Sequence, residues 1–123
     1  MKLHADNASA LNTVTAYGPG YVEVNRQRHS GALLLFPEGP VRPWSVQSFE
    51  QLSAAHVDEW LGFKPELILL GTGPSQRFPH PRILAPLAAA GLGLDAMDTA
   101  AACRTYNILM SEGRKVLAAL LPA

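Results

Sequence analysis

Cysteine is nearly absent from the 123 residues: Cys103 stands alone. It has no partner for an intramolecular disulfide, so the fold must rest on packing, and a reducing, cytoplasmic compartment suits it. Charge is scarce as well. Charged side chains make up 16% of the chain, and 10 basic residues cancel 10 acidic ones. A net charge of zero removes the attraction by which proteins gather nucleic acid or an anionic membrane surface. It also weakens colloidal repulsion, which leaves room for a monomer or a weak homo-oligomer. No apolar run approaches the ~20 residues of a membrane-spanning helix. The N-terminal MKLHADNASALN carries no apolar core of the secretory-signal kind, so none is expected. His4, His29, His56 and His80 lack the spacing of metal ligands, and Cys103 adds none, so no metal site is expected.

What is present is apolar: 48% of the residues, enough for a globular core without metals or disulfides. The length fits one domain over 1–123, with residues 1–12 as a loosely held arm that Leu3 and Leu11 anchor. Short apolar runs at 13–17, 21–24, 31–36 and 41–49, punctuated by glycine and proline, predict an antiparallel first part, with a polar turn over Asn25 to Arg28. The character changes near Ser53. Leu52, His56, Trp60 and Leu61 fit an amphipathic helix over 53–61, which Gly62 ends. A continuous apolar strand follows at 66–70, then the sharp turn Gly71-Thr72-Gly73-Pro74. An alanine-rich helix over 82–90 contains Pro86, which demands either a late helix start or a kink. Strand, helix, strand, helix, strand predicts a parallel core over 66–71, 93–97 and 114–121.

The stretch Met97 to Leu121, MDTAAACRTYNILMSEGRKVLAALL, organises this half. Asp98 and Thr99 are good helix caps, Ala100 to Ala102 favour a helix, and Gly113 stops it, so the helix spans 99–112. At about 100° per residue, Ala102, Cys103, Tyr106, Leu109 and Met110 share one face, and Arg104, Asn107 and Ser111 the opposite stripe.

ELILLGTG at 66–73, MDTAAACRTYNIL at 97–109 and EGRKVLAALL at 112–121 together resemble the Mth938-like family, small domains with no assigned biochemical function. The resemblance covers nearly the whole chain. Its members include a mitochondrial complex I assembly factor, an adipogenesis-associated cytosolic protein, and bacterial and archaeal proteins. It implies a single three-layer α+β or α/β domain: a mixed sheet, an additional β-layer and helices on one side. It implies no catalytic residue, because none is established in the family.

The candidate site lies at the carboxyl ends of the parallel strands, where α/β folds bind ligands. Gly71, Thr72 and Gly73 form one turn there, and Asp98 and Thr99 the other. The Arg104 and Asn107 stripe reads first as the solvent face of an amphipathic helix; the alternative is a small anion-accepting cleft, since the helix start at Thr99 offers backbone N–H groups and Arg104 and Asn107 lie one and two turns along. Asp98 opposes it with a negative charge. The pair Gly71-x-Gly73 is no dinucleotide fingerprint: Gln76 stands where a third small residue is needed, and Pro74 and Pro79 prevent a helix from opening. No catalytic motif and no cofactor motif is present. The leading expectation is therefore a non-enzymatic binding or assembly module with protein partners, the alternative a small-molecule binder or enzyme using the cleft.

Overall fold

The structure, a computed structural model, describes residues 11–123. Leu3 of the expected arm lies outside these residues. Its last two residues, Leu11 and Asn12, are held: Leu11 packs on the core, and Asn12 is buried.

The chain first forms a three-stranded antiparallel sheet, β1 (Val14–Gly18), β2 (Tyr21–Val24) and β3 (Gln27–Ser30). The β2–β3 turn is tighter than the polar stretch 25–28 suggests. Asn25 and Arg26 are both left-handed, with φ of 50° and 71°, so Gln27 and Arg28 already belong to β3. Two left-handed residues match the twist of a hairpin, but an arginine in that conformation is uncommon and gives no sequence signal.

A five-stranded sheet follows, built from β4 (Leu33–Leu35), β5 (Arg42–Pro43), β6 (Leu67–Gly71), β7 (Leu94–Met97) and β8 (Val116–Leu120) in the order β5-β4-β8-β6-β7. β6 runs parallel to both β7 and β8, which is the expected parallel core. The strand expected over 41–49 shrinks to Arg42–Pro43. Pro43 has no N–H to continue a ladder. Trp44 still donates to the Ala32 carbonyl at 3.0 Å, and the chain then turns into a short 3₁₀ segment at Phe49–Gln51.

The helices are α1 (Ala54–Leu61), α2 (Ala85–Ala90) and α3 (Thr99–Ser111). α2 starts late, with Pro86 in its first turn, where the missing N–H has no helical partner to lose. At the start of α1, His56 Nδ1 accepts from the Ser53 N–H at 3.1 Å.

Period-two alternation divides the core. Leu33, Leu35, Leu69, Ala118 and Leu120 face α3 and the valines of β1 and β2, whereas Leu34, Ile68, Leu70, Leu117 and Ala119 face α1 and α2 with Trp44 and Trp60. The three layers are thus two helices, the mixed sheet, and a layer shared by α3 and the small sheet. The expectation of helices on one side is corrected: helices cover both faces of the mixed sheet. The crossover from β6 to β7 runs one way along the sheet, and that from β7 to β8 runs back across β6. Right-handed crossovers in opposite directions put their helices on opposite faces.

Candidate functional site

At the carboxyl ends of β6 and β7 the turn residues are sewn to the start of α3. Gly73 N–H donates to Thr99 Oγ1 at 2.9 Å, and Thr99 N–H donates to the Gly73 carbonyl at 2.9 Å. Thr99 Oγ1 donates in turn to the Leu121 carbonyl at 2.7 Å, which ties β8 into the same knot. Thr72 N–H donates to the Met97 carbonyl, and its hydroxyl reaches the Ser75 carbonyl at 2.7 Å. Asp98 caps the helix, accepting from Ala101 N–H at 2.8 Å. Both hydroxyls are buried, so leaving either set of partners unmet costs about 1–3 kcal/mol per group. Gly71 is required by space: a Cβ there would lie 3.0 Å from Thr99 Oγ1 and 3.1 Å from its Cα. Gly73 is required by its φ of 101°.

The structure therefore brings Gly71, Thr72, Gly73, Asp98 and Thr99 together. It places Arg104 and Asn107 elsewhere, along β1. The Asn107 amide meets one residue of that strand on both sides: Oδ1 accepts from Val14 N–H at 2.9 Å, and Nδ2 donates to the Val14 carbonyl at 2.8 Å. Arg104 does not reach the 71–75 turn; its guanidinium donates to the Tyr17 hydroxyl at 2.9 Å. One turn further, Ile108 stands 58% exposed on the same outer row. The opposite face of α3 is buried as its periodicity requires, with Ala102, Cys103, Tyr106 and Met110 in the core and Leu109 packed against it.

A second feature left no signal in the sequence. Past the C-terminal end of α3 lies an open cavity of about 650 Å³. Leu11, Phe36, Phe63, Met110 and Val116 supply apolar wall, while Arg42, Arg114, Lys115 and Glu38 bring charge to it. Phe36 and Phe63 pack with ring centroids 4.8 Å apart, and the Arg42 guanidinium sits 5.3 Å from the centre of the Phe63 ring. Glu66 accepts from Lys115 N–H and from Arg114 Nε, both at 3.0 Å, and these contacts hold its carboxyl below the usual range. The 36–39 wall is pinned by Asn12, whose Nδ2 donates to the carbonyls of Phe36 and Gly39 at 2.7 and 2.8 Å. Among the described residues no group of three or more His, Cys, Asp or Glu is placed to hold a metal ion, and no helix is long and apolar enough to cross a membrane.

The DUF498/DUF598 family, described as protein of unknown function, matches residues 14–121. A crystal structure of a protein from Bordetella parapertussis is 53% identical, with a TM-score of 0.87 over 93% of this chain and 98% of that one. A solution structure of a Bordetella pertussis protein, titled a Mth938-like domain, is 46% identical, with a TM-score of 0.82 over 99% of this chain and 92% of that one. NADH dehydrogenase [ubiquinone] 1 alpha subcomplex assembly factor 3 from Danio rerio is 31% identical over 94% of this chain and 67% of its own length. The fold is Mth938-like, α+β, as the sequence resemblance implies.

Proposed function

This chain belongs to the DUF498/DUF598 family, whose description assigns no function, and from that premise we propose that it is a non-enzymatic docking module that helps other proteins assemble. The relative named as an assembly factor supports this reading. The structural observation that carries it is the outer row of α3, where Arg104 is held by Tyr17 and Ile108 stands open to solvent. Arginine and tyrosine are among the residue types that concentrate binding energy at protein interfaces. The row crosses the seam between α3 and β1, so it rests on a rigid support. We place the protein in the cytoplasm, a reducing compartment compatible with a chain that makes no disulfide.

The test is affinity capture of partners from the native lysate with wild type, Arg104→Ala and Ile108→Glu, each checked by thermal melting. Proteins captured by wild type and lost by both variants, at unchanged melting temperature, are the expected result. An identical captured set from folded variants overturns the reading.

The alternative, an anion cleft at Thr72, Thr99, Arg104 and Asn107, has less support. The two threonine hydroxyls and the first-turn amides of Thr99 and Ala101 already have partners within the fold, and Arg104 and Asn107 lie against β1.

A further inference from the structure

We propose that the cavity beyond α3 binds an amphipathic organic anion, a carboxylate carried on a hydrocarbon body. This site is separate from the outer row of α3, and the proposal stands whether or not that row docks a protein.

About 650 Å³ falls within the roughly 300–1,000 Å³ of small-molecule sites. Phe36, Phe63, Met110 and Val116 offer apolar wall, which suits methylene groups and rejects a bare inorganic ion. At the mouth the charges do not balance. Arg114 is matched by Glu66, but among the described residues neither Arg42 nor Lys115 makes an ion pair, and Glu38 is the one carboxylate in the lining. An anionic head group supplies the missing charge, and a neutral lipid or alcohol does not.

The site is also preformed. The aromatic face of Phe63 holds the Arg42 guanidinium near the mouth. Phe63 is 39% exposed, and the turn that presents it passes through Lys64 at a φ of 55°, a conformation that residues other than glycine rarely adopt. On the far side, both amide hydrogens of Asn12 fix the 36–39 wall. Walls held in place without a ligand lower the ordering cost of binding.

Three probes separate body from charge: decanoate below its micellar concentration, decanol, and inorganic phosphate. Each is titrated into the isotopically labelled full chain and followed by amide NMR. Decanoate should shift Phe63, Lys115 and Val116 saturably, decanol should bind about tenfold more weakly, and phosphate should move none of them. The variant Arg42→Gln/Lys115→Gln changes two exposed side chains and should retain its fold. It should bind decanoate about tenfold more weakly and decanol unchanged. Equal binding of acid and alcohol, decanoate binding that ignores the double variant, shifts that map elsewhere, or no saturable shift would each overturn the proposal.

Discussion

Cys103 has no exposed surface, and burial pushes its thiol from 9.0 up to about 12, with the Arg104 charge acting in the opposite sense. Burial likewise raises the Tyr106 phenol, whose hydroxyl donates to the Asn12 carbonyl at 2.8 Å. Both groups are neutral in the folded chain. In the unfolded chain the thiol ionises near pH 9, so its contribution to stability is complete below that pH and is lost as pH rises from 9 toward 12. The slope for one such group is about 1.4 kcal/mol per pH unit. Urea unfolding at pH 7.5, 9 and 10.5 checks this. Wild type should lose stability over the upper interval, and Cys103→Ala should lose about 1–2 kcal/mol less over the same interval. Parallel curves would mean that the thiol is not desolvated. The same burial predicts slow labelling by thiol reagents in the native state, since the thiolate is the reactive form.

On α3, Asn107 and Arg104 share one polar stripe in the sequence, and the structure gives them different work. Asn107 supplies both hydrogen bonds that a neighbouring strand would give Val14. Asn107→Ala leaves two partly buried backbone groups unmet and should cost about 1–3 kcal/mol. Arg104→Ala removes an exposed contact and should cost less than about 0.5 kcal/mol. Thermal melts of the two variants decide it, and equal losses would contradict the assignment. The contrast marks what the sequence can show. Local signals were readable: the Asp98 cap, the alanine run, the Gly113 stop at a φ of 81°, and the buried face with Cys103 and Tyr106. So was the parallel core, because alternation of strand and helix is itself a local pattern. The meeting of Asn107 with Val14 was not, because the two lie 93 residues apart. The cavity was not readable either. It draws Leu11, the 36–42 turn, Phe63 and the end of α3 into one place, and no period or motif links them.

For the molecule as a whole, sheet edges decide whether it stays apart from its copies. A net charge of zero provides little repulsion, so exposed strand edges need local guards. At one end of the large sheet, β5 is two residues long and contains Pro43, which cannot donate to another strand. Beside the small sheet, Asn107 occupies Val14 of the outer strand β1. At the other end of the large sheet, among the described residues, β7 pairs only with β6. The Met97 carbonyl points toward β6, where it accepts from Thr72 N–H, so alternation turns the Ala96 carbonyl to the open side. Gln76 Nε2 donates to that carbonyl at 2.9 Å. The half-buried Leu84, Leu92 and Leu94 line an apolar hollow near this edge, so an unguarded β7 would invite a second strand. We predict that Gln76→Val, which frees the carbonyl and adds a β-branched apolar group, raises self-association. Sedimentation equilibrium should show the variant associating at about tenfold lower concentration than wild type, a gain of about 1.4 kcal/mol. Its melting temperature at high dilution should hardly change, because Gln76 is exposed. Superimposable sedimentation of the two proteins would show that Gln76 is not what keeps this edge free.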